Sequence, residues 1–322
     1  MKKTMIFLGL LALTTVAGAQ TQVKPGFNLF SVQQDIEIGK QSADQAERQL
    51  PILDDSSVED YVDDLVERLG AAAPGHKFPY QGKVVNATDI NAFALPGGYI
   101  GINAGLLLTT QNESELAGVL SHEIAHVTQR HIARQIEATQ TLNMATMAAL
   151  LVALIASGGS GDLAQAALTL GISGIQQRQI NFTRSHELEA DRVGIRTLAS
   201  AGFDPNGMAS FFQRMEEQTR LYGDAVPEIL RTHPVNVTRI TEARTRAAGY
   251  PPVKPADGRE YPLMQARLRV LSSVQATDAL VHFQSRTQNN AGTEADRYGL
   301  GLALLRTGQP EVARELFATL VQ

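Results

Sequence analysis

The sequence predicts a predominantly helical α+β fold, a helical domain with a small sheet or hairpin followed by helical hairpins. Three observations carry this expectation. Tryptophan is absent and aromatic residues make up only 6% of the 322 residues, a composition that leans towards Ala/Leu-rich helices. Apolar residues recur at helical spacing, as in Val58, Tyr61, Val62 and Leu65. One short stretch, Asn91-Ala92-Phe93-Ala94-Leu95-Pro96-Gly97-Gly98, instead has strand and turn chemistry. The length suits one sizeable core plus a smaller appendage. A net charge of −5 with pI near 5.8, no basic stripe and no cluster of base-stacking aromatics give no reason to expect nucleic acid as a partner.

The chain opens on Lys2 and Lys3, an apolar run from Met5 to Leu13, and Ala17-Gly18-Ala19 before Gln20. Residues 1–19 therefore read as a secretory signal peptide cleaved after Ala19. The run is too short to span a bilayer comfortably, so no stable transmembrane segment is expected. With no cysteine there is no disulfide framework, no thiolate metal site and no lipid-attachment cysteine. Residues 35–69 read as charged, amphipathic N-terminal helices. Next, Pro96-Gly97-Gly98 turns the chain between an apolar run ending near Ile90 and another beginning at Tyr99, which predicts a hairpin.

His122-Glu123-Ile124-Ala125-His126 is the most informative stretch. Two histidines at i and i+4 lie about 40° apart around a helix and can share one metal ion. The glutamate beside the first can reach a water that the metal activates, which points to hydrolysis of an amide bond. A plain amphipathic helix with two surface histidines would carry the same letters. Context argues against it: Asn112 with Glu115 reads as an N-cap and capping box, and Leu116, Val119, Leu120, Ile124 and Val127 form an apolar stripe. No third histidine follows at the extended spacing, where Gln129 and Ile132 stand instead. His131, about 180° round a continuous helix from His122, is expected to be solvated or on a second face. The remaining ligand is sought downstream in Ser185-His186-Glu187-Leu188-Glu189-Ala190-Asp191-Arg192. Glu187 and Asp191, at i and i+4, put two carboxylates on one face, one to bind metal and one to orient a ligating imidazole. Glu189, about 200° away, is expected to face solvent.

These segments resemble peptidase family M48, within the gluzincin metallopeptidases. The resemblance covers residues 30–250 well and the rest weakly, and it implies a zincin-like fold, a single Zn2+ per chain and peptide-bond hydrolysis. Carried over by position, His122, His126 and Glu187 match the family's zinc ligands, Glu123 its catalytic base and Asp191 its acid beside the ligands. The edge formed by Asn91, Ala92, Phe93 and Ala94 is implied to bind the substrate backbone by strand addition. Thr232-His233-Pro234 matches a segment that faces the metal. His233 then has two open roles, an oxyanion donor or a latch in the fourth zinc position. The family also implies the periplasm of a Gram-negative-type bacterium, unfolded or misassembled protein substrates, and contact with outer-membrane assembly machinery. A binding module with little proteolysis, acting as a chaperone or assembly factor, is the competing expectation.

Two apolar runs, 144–156 and 163–175, flank Gly158-Gly159-Ser160-Gly161 and read as a helical hairpin over the cleft. The peptidase domain is expected over residues 20–250. Residues 251–263 read as a proline-rich linker. Residues 264–322 read as a partial tetratricopeptide-like region, from the spacing of Tyr298, Gly301, Leu304, Gly308, Ala313 and Phe317.

Overall fold

The computed structural model describes residues 31–75, 77–139, 184–222, 226–251, 253, 258–288 and 291–320. The stretch read as a signal peptide (1–19) and the two apolar runs lie outside the described residues, as does most of the proline-rich stretch between 251 and 259.

Helix α1 (Val32–Gln49) starts at a capping box, in which the Ser31 hydroxyl accepts from the Gln34 amide and the Gln34 side chain accepts from the Ser31 amide. Helix α2 (Ser56–Ala72) is capped by Asp55, and Val58, Tyr61, Val62, Leu65, Val66 and Leu69 bury its apolar stripe. Strand β1 (Gln81–Val85) follows, then β2 (Ala92–Leu95) and β3 (Tyr99–Asn103). The sheet order is β1-β3-β2, with β1 parallel and β2 antiparallel to β3. The expected hairpin is β2 and β3, joined by a single 3-10 turn at Pro96–Gly98. Gly97, at φ 80°, takes the left-handed conformation that this turn requires. Strand β2 lies at the sheet edge.

Helices α3 (Ala104–Thr109), α4 (Glu113–Thr128) and α5 (His131–Thr139) come next, then α6 (Arg184–Ser200), α7 (Asn206–Tyr222), α8 (Glu228–Thr232) and α9 (Val237–Ala247). The main core gathers α2, the sheet, α4, α6 and α7 around Leu69, Ile102, Leu120, Ile124, Leu198 and Phe211. Helix α4 is buried all round, which fits its position between the sheet and α6/α7. It approaches its neighbours closely through glycines. A Cβ on Gly118 would lie 2.7 Å from the Met208 amide nitrogen of α7, and one on Gly194 of α6 would lie 3.1 Å from the His122 nitrogen.

Helices α10 (Glu260–Ser272), α11 (Ala276–Thr287), α12 (Glu294–Arg306) and α13 (Pro310–Leu320) form the helical C-terminal part. Helix α10 begins within the stretch read as linker. Pro262 stands in its first turn, where the missing N–H costs nothing. Tyr261 and Leu268 of α10 join the main core, and the Tyr261 hydroxyl donates to the Thr110 carbonyl at 2.8 Å. A second, smaller core holds Ala266, Val270, Ala279, Phe283, Ala295 and Ala303. The rings of Phe283 and Phe317 lie where Cβ atoms on Gly299 and Gly301 would be, so these helices pack ring against backbone. Among the described residues no helix is long and apolar enough to cross a membrane.

Candidate metal centre

Helix α4 is set by its N-cap: Asn112 accepts from the Glu115 amide at 2.9 Å, while the Glu115 carboxylate accepts from the Gln111 amide at 2.8 Å. Two turns on, the helix carries His122, Glu123 and His126, which are 2%, 1% and 2% exposed. Helix α6 crosses it and supplies Glu187 and Asp191, both 3% exposed. The segment after α8 adds His233, whose backbone amide closes α8 by donating to the Ile229 carbonyl at 2.8 Å.

The structure brings His122, His126, Glu187 and His233 together, with donor atoms all within 4.8 Å of one another. The separations decide what such a cluster can hold. His126 Nε2 is 3.1 Å from His122 Nε2, and His122 Nε2 is 3.3 Å from His233 Nδ1. Glu187 oxygens lie 3.4 Å from His122 Nε2, 3.6 Å from His126 Nε2 and 3.2 Å from His233 Nδ1. Ligand bonds of about 2.0–2.1 Å in a tetrahedron put donors roughly 3.3–3.4 Å apart. The set therefore fits a zinc ion, with imidazole and carboxylate donors suited to that metal.

The charges around the cluster point the same way. Burial would lower the His122 imidazole, but hydrogen bonds donated to the Asp191 and Glu187 carboxylates outweigh it and lift the ring to about 9. The site thus favours a cation between those carboxylates. His126 is held well below the usual histidine range by burial and by the neighbouring His122, which keeps its ring neutral. Burial raises the Glu123 carboxyl, against the pull of His233, His122 and the Ala94 amide. Glu123 Oε1 is 3.5 Å from His233 Nε2. Burial opposes ionisation of Glu187 and Asp191 too, yet their imidazole and guanidinium neighbours keep both carboxyls below their ordinary range.

Asp191 Oδ1 stands 3.0 Å from His122 Nδ1, on the side of the ring away from the cluster. Arg239 of α9 grips Asp191 through two bonds of 2.7 Å, reaches Glu187 at 2.8 Å and donates to the Pro234 carbonyl at 2.8 Å. Its guanidinium lies over the Phe212 ring, 5.0 Å from the centroid. The sequence reading missed this residue. Its signal was present: Arg239 shares a helix face with Ala243 and Ala247, so a full charge stands on a buried stripe.

Two expectations are corrected. His131 is not solvated; it is fully buried, with Nδ1 2.9 Å from Nδ1 of His126. A 180° separation from His122 holds only for one continuous helix, whereas the chain breaks at Arg130, which has φ 53° and pairs with Asp35 of α1 at 2.5 Å. The break folds His131 back onto α4. Glu189 does not face solvent either. It is 8% exposed and takes His131 Nε2 at 3.1 Å and Arg134 Nη1 at 2.8 Å, because α5 covers that side of α6.

Ala92, Phe93 and Ala94 run in β2 at the sheet edge beside α4, with the Ala94 amide acting on Glu123, and Asn91 stands just before the strand. The Ile229 amide donates to the Ile90 carbonyl at 3.1 Å, tying the segment that carries His233 to the entry of that strand.

The profile of peptidase family M48 matches residues 53–247. The chain belongs to peptidase family M48. Members of this family are zinc-dependent metallopeptidases. The chain is 40% identical to the putative beta-barrel assembly-enhancing protease of Vibrio cholerae over 275 residues, 84% of this chain and 57% of that protein. It is 36% identical to the beta-barrel assembly-enhancing protease of Escherichia coli over 237 residues, 74% of this chain and 48% of that protein. The mitochondrial metalloendopeptidase OMA1 of Arabidopsis thaliana is 34% identical over 151 residues, 47% of this chain and 28% of that protein. The chain thus spans about half of the length of the curated bacterial relatives it matches.

Proposed function

We propose that this chain is a zinc metalloendopeptidase that cleaves extended segments of exported proteins and is held in check at rest by His233. One observation carries the reading: buried donors from three separate segments converge within 4.8 Å of one another, with an ionisable carboxylate beside them. His122, His126 and Glu187 hold the metal, and Asp191, clamped by Arg239, orients the His122 ring. Bound zinc supplies a Lewis acid that acidifies water and polarises a carbonyl. Glu123 accepts the proton of the attacking water and returns it to the departing amine. The β2 edge takes the substrate backbone as an added strand, which places few demands on side-chain sequence.

His233 fits the latch better than the oxyanion role in this conformation. Its Nδ1 is among the metal-facing donors, at 3.2 Å from Glu187 and 3.3 Å from His122, which is the space that substrate and water need. The tie between Ile229 and Ile90 gives a substrate strand a route to dislodge it. The bacterial relatives are named for beta-barrel assembly, which supports β-barrel proteins as clients, with the periplasm as the proposed compartment. A signal peptide over residues 1–19 fits that location.

The test compares hydrolysis of an unfolded protein by the wild type, Glu123→Gln and His233→Ala, with zinc content measured in each. Loss of the base is expected to lower turnover by about 10²–10⁴-fold with zinc retained. Loss of the latch is expected to raise hydrolysis. Reduced turnover in His233→Ala with zinc still bound would assign it to the oxyanion instead. Client binding with no cleavage by either the wild type or Glu123→Gln would favour a binding module.

A further inference from the structure

The two α4 histidines are supported unequally. His122 has a carboxylate, Asp191, directly on its Nδ1 side. His126, one turn further on, meets another imidazole there: Nδ1 of His131 at 2.9 Å. Two ring nitrogens at that distance share one proton. Glu189, as a carboxylate, only accepts, so the His131 Nε2 that faces it at 3.1 Å carries a hydrogen. The neutral His131 ring then has its lone pair on Nδ1, and the shared proton belongs to His126 Nδ1. That leaves the lone pair of His126 on Nε2, the atom that faces the metal cluster.

We propose that His131 and Glu189 are positioning residues that fix the tautomer and orientation of His126 as a zinc ligand. The proposal rests on the zinc reading above. Every member of the relay is itself pinned. Arg134 holds the Glu189 carboxylate at 2.8 Å. His186 stacks on the His131 ring, with centroids 4.4 Å apart and planes 12° from parallel. The left-handed turn at Arg130 that aims His131 at α4 is anchored on buried Asp35. A ring that merely filled space would need none of this polar alignment. Partners of this kind typically change metal affinity by 10–100-fold when removed.

The experiment measures zinc affinity by competition with a chelator, alongside thermal melting of the metal-free protein. His131→Phe keeps a ring for His186 to stack on but removes the acceptor facing His126. Glu189→Leu removes the acceptor facing His131, and Glu189→Gln retains an amide oxygen in its place. The expected result is a zinc Kd raised about 10–100-fold in His131→Phe and Glu189→Leu, with Glu189→Gln restored to within about threefold of wild type. A folded His131→Phe or Glu189→Leu protein with wild-type zinc affinity overturns the proposal. So does a loss in all three variants that simply tracks their melting temperatures. Should His131→Phe not fold, the Glu189→Leu and Glu189→Gln pair decides. A wild-type chain that binds no zinc would sink the functional reading itself, a different outcome from unchanged affinity in the variants.

Discussion

The metal-bearing helices and the C-terminal helices treat charge in opposite ways. Around α4 and α6, His122, Glu123, His126, Glu187, Asp191, His233 and Arg239 are all buried, and each touches at least one other member of the set. In α11 to α13 the core is mostly alanine and phenylalanine and, apart from the buried capping residue Asp296, charge lies outside, as in the Arg314–Glu311 pair, whose side chains are 77% and 75% exposed. Exposed pairs of that kind contribute little to stability, whereas a buried charge that loses its partner is costly. The lesson is that the first region is stable only as a complete electrostatic set. The second depends on shape.

Arg239→Leu should break this contrast most severely. It leaves the buried Asp191 and Glu187 without their guanidinium partner, and breaking a buried pair in this way costs about 3–5 kcal/mol. Denaturant unfolding of the metal-free protein measures it, and a loss below about 1 kcal/mol would show that the set is not coupled as described. Gly118→Ala probes packing in the same region. Its new Cβ would press on the Met208 backbone, with an expected cost of about 1–3 kcal/mol by the same measurement. A neutral result would mean that α4 and α7 can separate without strain.

The smallest effect belongs to the seam with the C-terminal helices. Arg267 of α10 grips Asp55 through two bonds of 2.7 Å while Asp55 caps α2. Burial opposes ionisation of Asp55, but the Arg267 and Val58 bonds prevail and hold its carboxyl below the ordinary value of 3.8. A depressed folded-state pKa means that this stabilisation is full above pH 3.8 and fades as pH falls through the lower, folded value. Asp55→Asn should therefore lower stability slightly at neutral pH and flatten its decline below pH 4. A mutant curve parallel to the wild type throughout the acid range would remove Asp55 from the account.

What the sequence made legible divides along the same line. Helix α4 was readable because its cap, its apolar stripe and the spacing of His122 and His126 are all local. Glu187 and Asp191 were readable as a pair because both point from one face of one helix. His131 and Glu189 were misread for a shared reason: angular arithmetic holds only within an unbroken helix and a single packing face. The left-handed residue Arg130 ends one, and α5 adds a second buried face to α6. Arg239 comes from a third segment, 48 residues beyond its partner Asp191, so no local spacing could pair them. In the sheet, the β2–β3 hairpin was signalled by Pro96-Gly97-Gly98. The parallel pairing of β1 with β3 was not, since it joins strands with no turn between them to mark the register.

Metal analysis of the purified wild type beside His126→Ala and Glu187→Ala tests the central claim most directly. One zinc per chain in the wild type and none in either variant is the expected result. Zinc retained after loss of Glu187, or absent from a folded wild-type chain, would contradict an ion held jointly by α4 and α6.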